Sequence, residues 1–161
     1  MMDRQGAGRK IGFGEDRFGD AARFLNGRFD CKVSAADTKG GMSVFDTFRD
    51  VQGGPPLHYH ELQDEWFMVI EGEFLFQVGD EIFRVRPGDS VFGPRMVPHA
   101  FRSLTRQARM LIAYSPALRM EEFFRAGLGP TSAASAEFEA LHKAHNIINV
   151  GPPLGGEHDI A

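Results

Sequence analysis

Short apolar runs separated by glycine- and proline-rich turns constrain the fold of this chain most strongly. The segment EWFMVIEGEFLFQVGDEIFRVRPGDSVFGP carries such runs at residues 65–70, 74–78, 82–85 and 90–92. The turn signals recur about every 8–12 residues, a spacing that is typical of an all-β sandwich or barrel. We therefore predict a body built of short antiparallel strands.

The flanking segments extend this organisation. We predict further strands at residues 99–104 and 108–115, and a turn at residues 37–41, where glycine supplies the positive φ that hairpins need. After Pro116 the apolar residues recur at helical spacing, which predicts two helices packed outside the β body, followed by a tail rich in proline and glycine. The predicted segments are a flexible arm over residues 1–20, a barrel over 21–116 and a helical extension with its tail over 117–161.

Composition excludes several classes of function. The 161 residues carry a formal net charge of −4, and their 18 lysines and arginines are scattered, so we expect no nucleic-acid partner. No apolar run approaches the roughly 20 residues of a membrane span, and the N-terminal segment lacks the apolar run of a secretory signal. With one cysteine, no internal disulfide can form. We expect a cytoplasmic protein without a membrane partner.

Three histidines and a carboxylate form the candidate site. His58 and His60 are two residues apart, so on a strand both side chains project from one face and can converge on one ion. Glu65 begins an apolar run after a polar bend, where a carboxylate is costly unless it is paired or binds a cation. Asp64 is the rival carboxylate. His99 opens a later strand, and taken alone it fits a structural histidine better than a ligand.

These residues resemble the two motifs of the cupin superfamily. The first motif is a glycine, then H-x-H, four residues, Glu, six residues and Gly, matched here by His58, His60, Glu65 and Gly72, with the opening glycine one residue late at Gly53. The second motif is matched by Gly88, Pro94 and His99. Met96 and Ser103 replace the glycine and the asparagine of that second motif.

The resemblance implies a fold, a ligand set and a partner. The implied fold is a double-stranded β-helix, a small jelly-roll barrel. By the family pattern the metal ligands are His58, His60, Glu65 and His99, around one divalent transition metal ion whose identity stays open among Fe, Mn, Ni, Co, Cu and Zn. The resemblance also implies a homodimer, with Trp66 and Met68 facing away from the site towards an interface or a helix.

Within the superfamily, the stretches GGPPLHYH and NVGPPL are similar to single-domain bacterial cupins of the quercetin 2,3-dioxygenase type. The leading hypothesis is a metal-dependent dioxygenase that acts on a small, aromatic or enolisable substrate, with Glu65 as ligand and catalytic base. The second is a non-oxidative isomerase, lyase or hydrolase that uses the metal as a Lewis acid. The third is a cupin that binds a small molecule without turnover.

Strand alternation places Phe67, Phe76 and Phe101 inside the barrel, as a substrate pocket or as ordinary core. Arg49 and Arg95 are candidates to bind an acidic substrate, although solvated surface charges are the favoured interpretation.

His142 and His145 are three residues apart on the last predicted helix. A solvent-facing pair is favoured there over a second metal site. Cys31 is interpreted as a small buried hydrophobe.

Overall fold

Alternating side chains and regularly spaced turns produce two antiparallel sheets in the computed structural model, which describes residues 8–127 and 135–156. The first sheet contains, in spatial order, β1 (Ala22–Phe24), β2 (Gly27–Val33), β3 (Ser43–Arg49), β10 (Ala108–Ser115), β5 (Asp64–Glu71) and β8 (Ser90–Gly93). The second contains β11 (Ile147–Pro153), β4 (Pro56–His60), β9 (His99–Ser103), β6 (Phe74–Val78) and β7 (Glu81–Val85). Two helices, α1 (Met120–Arg125) and α2 (Ala136–Ala144), follow β10.

The predicted β-rich body is therefore confirmed, and the arrangement of two sheets is consistent with a jelly roll. A closed barrel is not seen in the described part of the chain, because the strands form two separate sheets. In the predicted turn at residues 37–41, Gly40 has φ of +83°, as expected. At Gly72, φ is +77°, and a Cβ atom there would lie 2.6 Å from the carbonyl oxygen of Gln107. Only glycine fits this turn without strain.

The inward faces of the two sheets form a core rich in phenylalanine. In the first sheet, Phe45, Ile112 and Phe67 lie side by side on β3, β10 and β5, as the strand register requires. In the second sheet, Phe76 of β6 lies opposite Phe101 of β9. Successive side chains along a strand point to opposite faces of its sheet. Polar side chains that occupy the same alternate positions as these core residues therefore also point between the two sheets.

Two helices follow β10, as predicted, and pack against the β body through their apolar faces. Phe123 and Phe124 of α1 and Phe138 of α2 are buried in the same core as the sheet residues. The ring of Phe124 stacks on Phe29 at 4.1 Å between centroids, and Phe123 lies 4.7 Å from Phe24. The helices are amphipathic, and their apolar faces complete the core at the end of the sandwich where β1 and β2 begin.

The end of the chain differs from the predicted tail. Ile147–Pro153 forms β11, which pairs antiparallel with β4 at the edge of the second sheet. Asn146 has φ of +59° directly after α2, a conformation that asparagine tolerates and that separates the helix from the strand. Prolines are tolerated at the edge of a sheet because no ladder partner needs their missing N–H group.

The N-terminal arm is described from residue 8 onwards, and residues 1–7 lie outside the described part. Between residues 8 and 20 there is no strand or helix, but Asp16 accepts a hydrogen bond from the Cys31 N–H at 2.7 Å, and the Arg17 N–H donates to the Cys31 carbonyl at 2.7 Å. The boundaries of the three predicted segments stay a prediction. No helix among the described residues is long and apolar enough to cross a membrane.

Candidate metal centre

Neighbouring strands bring the three histidines together. His58 and His60 both point inward from β4, and His58 lies opposite His99 in the register with β9. Glu65 points inward from the start of β5 in the other sheet, after the polar bend that follows β4. All four side chains are buried, so the site lies between the sheets.

The rival carboxylate lies on the opposite face of β5. Asp64 accepts hydrogen bonds from the Arg95 guanidinium at 2.8 and 3.1 Å near the protein surface. The pKa of Asp64 is lowered to about 2 because Arg95 donates hydrogen bonds to its carboxylate. The alternation of side chains along the strand thus assigns Glu65 to the site and Asp64 to a surface ion pair.

The four side chains converge on one point. One potential ligand atom from each of His58, His60, Glu65 and His99 lies within 4.8 Å of the other three. The Glu65 Oε2 atom is 3.1 Å from His60 Nε2 and 2.7 Å from His99 Nε2. These groups are close enough to surround a single cation after small side-chain adjustments.

Each imidazole is oriented by a hydrogen bond from its other nitrogen. His58 Nδ1 donates to the Pro56 carbonyl at 2.7 Å, and His99 Nδ1 donates to the Val97 carbonyl at 3.1 Å. His60 Nδ1 donates to Gln63 Oε1 at 2.8 Å. This arrangement leaves Nε2 of each ring directed at the shared centre, as is usual for histidines that bind metals.

Charge in the site favours a cation. Burial raises the pKa of Glu65, but the facing His60 and His99 imidazoles outweigh burial and hold that pKa well below its usual range. Burial and the two neighbouring imidazoles lower the pKa of His58 well below its usual value. Burial lowers the pKa of His99, but the hydrogen bond to Glu65 and the charge of that carboxylate outweigh burial and raise it. Glu65 and His58 thus have the forms in which they bind metals, and an ion bound by His99 would displace a proton from that ring.

The donor set fits a divalent transition metal ion. Three imidazole nitrogens and one carboxylate oxygen suit Fe, Mn, Co, Ni, Cu and Zn, and four protein donors leave positions open in a five- or six-coordinate ion. The cluster of His58, His60, Glu65 and His99 could hold such an ion.

A cavity of about 60 Å³ opens beside the cluster. Its wall includes His58, His60 and Glu65, together with Tyr114, Arg49 and a predominantly apolar lining. The apolar lining residues include Phe24, Phe29, Phe101, Ile112, Met120, Phe123, Phe124 and Ile147. A substrate in this cavity would reach the metal centre in surroundings that exclude most water.

Tyr114 is a polar group of the site that was not predicted from the sequence. It lies directly opposite Glu65 in the register of β10 and β5, is buried, and lines the cavity together with Glu65. Burial, and then the charge of Glu65, raise the pKa of Tyr114 well above its usual value, so the phenol stays neutral. The alternation Met110, Ile112, Tyr114 along β10 was the available signal for its inward direction.

Gln63 was also not predicted. It is buried in the bend between β4 and β5, and its amide nitrogen donates to the Pro116 carbonyl at 2.9 Å while its oxygen holds His60. Nothing in the polar stretch ELQD distinguishes this glutamine from its exposed neighbours Glu61 and Leu62.

The three predicted pocket phenylalanines occupy different positions. Phe101 lines the cavity, whereas Phe67 and Phe76 are fully buried and pack against each other at 5.0 Å in the core. A substrate-contacting role for these residues remains a prediction.

Two other expectations are wrong. Arg49 is not a solvated surface charge, because it is buried and lines the cavity. His142 and His145 are not solvent-facing, because their Nδ1 atoms donate at 2.8 Å to the carbonyls of Phe138 and Leu141 and their rings are buried. His142 also lines the cavity.

Cys31 is buried as predicted, and burial is the main reason that the pKa of its thiol rises to about 12. Arg95 is exposed and paired with Asp64, in agreement with its interpretation as a surface charge.

Comparison with known proteins supports the same fold. Residues 49–114 match the family model described as a cupin domain. No curated protein matches the chain significantly. The matched segment, residues 49–114, is thus similar to a cupin domain, and the fold and the buried His/His/Glu/His group define a two-sheet protein with a candidate metal centre.

Among solved structures, the chain is similar to KdgF from Halomonas sp., with a TM-score of 0.58, 18% identity, and 63% of this chain and 90% of that chain covered. It is also similar to ectoine synthase from P. lautus, with a TM-score of 0.56, 18% identity and 85% of each chain covered. The cupin domain of Schizosaccharomyces pombe Cnp3 gives a TM-score of 0.52 at 13% identity, over 68% of this chain and 76% of that chain. At these identities the likeness concerns the fold alone.

Proposed function

We propose that the protein is a metal-dependent dioxygenase that acts on a small, aromatic or enolisable substrate. The observation that carries this proposal is the convergence of His58, His60, Glu65 and His99, the first three of which line a mostly apolar cavity. When bound, a divalent transition metal ion supplies Lewis acidity and, for the redox-active metals, electron transfer between an enolate substrate and O₂.

The residues around the centre have distinct roles in this proposal. Glu65 accepts the proton of a substrate hydroxyl group, since its carboxylate is ionised and faces the cavity. Tyr114 lies opposite Glu65 on the cavity wall and stays neutral at ordinary pH, because burial raises its pKa well above the usual value. Phe101 and the other apolar lining residues exclude water, which limits competing hydrolysis.

Metal analysis and oxygen uptake test the proposal. Protein purified without added metal should contain close to one equivalent of a transition metal ion by elemental analysis. Loaded with each candidate metal, it should consume O₂ with at least one member of a flavonol, catechol and β-diketone panel. Glu65→Gln should abolish uptake, whereas Asp64→Asn, its neighbour on the outer face, should leave uptake unchanged. A lack of uptake with every metal would refute the dioxygenase function.

A second candidate is a non-oxidative isomerase or lyase. The position of the neutral Tyr114 opposite the Glu65 carboxylate on the cavity wall favours it, because an acid and a base so placed can deliver and remove protons without O₂. Substrate turnover under strict anaerobiosis would establish this function and exclude the first. Metal binding without turnover under either condition would instead indicate a cupin that only binds a small molecule.

We also propose that the protein forms a homodimer. Trp66 and Phe92 lie opposite each other on the outer face of β5 and β8, with 38% and 58% of their surfaces exposed. β8 is an edge strand of the first sheet, and the exposed apolar rings beside it would be covered by a second copy. Size-exclusion chromatography should show a dimer that Phe92→Ser dissociates, and a monomeric native protein would contradict this proposal.

A further inference from the structure

A buried guanidinium group lies in the cavity without an anionic partner. Arg49 is the last residue of β3 and points inward, in line with Phe45 and Thr47. Its exposed fraction is 6%, and its Nη1 atom donates to Thr47 Oγ1 at 3.0 Å. Its Nε atom is buried and has no hydrogen-bond partner.

The surroundings of Arg49 are aromatic. Its guanidinium carbon lies 4.7 Å from the ring centroid of Phe101 and 5.7 Å from that of Phe29. These contacts fix the plane of the group and partly compensate its charge. They do not satisfy the N–H donors, which need an oxygen acceptor.

No carboxylate of the described residues forms a salt bridge with Arg49. Asp46, on the same strand, is engaged by Arg109 at 2.8 and 2.9 Å. Glu65, on the cavity wall, is engaged by His60 and His99. Burial lowers the pKa of Arg49 to about 10, so the group remains a cation at neutral pH. A buried cation without an anion is unfavourable, and such an arrangement is retained where a ligand supplies the anion.

We propose that Arg49 binds the carboxylate group of the substrate, whose other end contacts the metal centre. This inference rests on the proposed function, and it names the substrate class as a small carboxylic acid. A carboxylate presents two oxygens in one plane, which matches the flat edge of a guanidinium group. Arg49 lines the same cavity of about 60 Å³ as His58, His60 and Glu65 of the cluster, so a short carbon skeleton suffices to connect them.

Ligand binding to the intact protein tests the inference independently of turnover. The probes are propionate and its neutral isostere propionamide, titrated calorimetrically into zinc-loaded and chelator-treated protein in chloride-free buffer. Propionate should bind both forms, and propionamide should bind at least about tenfold more weakly, since the amide lacks the charge that pairs with Arg49. Inorganic phosphate should bind more weakly than propionate.

Three variants separate binding from folding. Arg49→Met should lose at least about tenfold in propionate affinity, and Arg49→Lys should retain part of it, because the charge but not the planar fork remains. Arg106→Met, in an exposed loop, is the matched control and should bind as the native protein does. Arg49→Met should also be at least as resistant to urea as the native protein, because it removes a buried unpaired charge, whereas a purely structural arginine would give a less stable variant.

Several results would overturn the inference. These are equal affinity for propionate and propionamide, native propionate affinity in Arg49→Met, propionate binding that disappears with the metal, or tighter binding of phosphate through Arg49. Failure of the proposed function is distinguishable. If Arg49-dependent propionate binding is found without turnover of any substrate, only the enzymatic function is refuted. If a neutral substrate is turned over equally by Arg49→Met, only the carboxylate inference is refuted.

Discussion

Replacement of Gln63 should weaken metal binding from outside the ligand set. Its side-chain oxygen accepts from His60 Nδ1 at 2.8 Å, and its amide nitrogen donates to the Pro116 carbonyl at 2.9 Å and the Ala117 carbonyl at 3.4 Å. Gln63→Ala removes these bonds and leaves a buried imidazole N–H and a buried carbonyl without partners. With about 1 kcal/mol for each lost bond and a further penalty for the unpaired groups, we expect a loss of about 2–4 kcal/mol in the free energy of unfolding.

The effect on the metal follows from the orientation of His60. Without an acceptor on Nδ1 the ring is free to change its tautomer and its angle, and removal of such a partner typically weakens metal affinity by about 10–100-fold. Competition with a chromophoric chelator measures the dissociation constant, and urea unfolding of the metal-free protein measures stability. Gln107→Ala, at an exposed glutamine far from the cluster, is the matched control for both measurements.

Gln63→Glu separates the two functions of the side chain. It keeps an oxygen acceptor for His60, so metal affinity should stay within about threefold of native, while the donor to Pro116 is lost and stability falls. The reasoning is refuted if folded Gln63→Ala binds metal as tightly as the native protein. It is equally refuted if Gln63→Glu loses as much affinity as Gln63→Ala.

Three further predictions concern other parts of the molecule. Met96 has φ of +66° at the position where the family motif has glycine, and its N–H donates to the His60 carbonyl at 2.8 Å, so Met96→Gly should raise the free energy of unfolding by up to about 1 kcal/mol in urea titrations. Cys31, with its thiol pKa raised to about 12 by burial, should resist iodoacetamide at pH 8 in the native protein and react on unfolding, as mass spectrometry would show. The lowered pKa of Asp64, about 2 in the folded state, means that its pairing with Arg95 stabilises the protein above pH about 4 and is lost as pH falls towards 2. Because both side chains are partly exposed, Asp64→Asn should reduce stability at neutral pH by less than about 1 kcal/mol and flatten its pH dependence in that window.

The strands and the convergence of the four donors were predictable because both depend on local pattern. Side chains two residues apart on a strand share one face, so His58 and His60 must point the same way. The bend before Glu65 changes the odd spacing from His60, so that the Glu65 side chain points to the same side as the two histidines. The spacing of two motifs adds His99. Residues that obey a local periodicity are assigned correctly because every step of the strand repeats the same geometry.

The remaining features depend on packing between distant segments. Arg49 obeys the same alternation as Phe45, but a charged residue at the end of an apolar strand fits a surface position equally well until its neighbours are known. The burial of His142 depends on where α2 docks, and its helical spacing carries no information about that. β11 contains two prolines and a glycine, so only its pairing with β4 identifies it as a strand.

The lining of the cavity comes from more than one stretch of chain. The segment matching the cupin family model, residues 49–114, contains all four potential ligands together with Tyr114 and Arg49. Phe24, Phe123 and His142 also line the cavity but lie outside that segment. Substitution of Phe24 or Phe123 would therefore change the volume beside the candidate metal centre without altering any of its donor atoms.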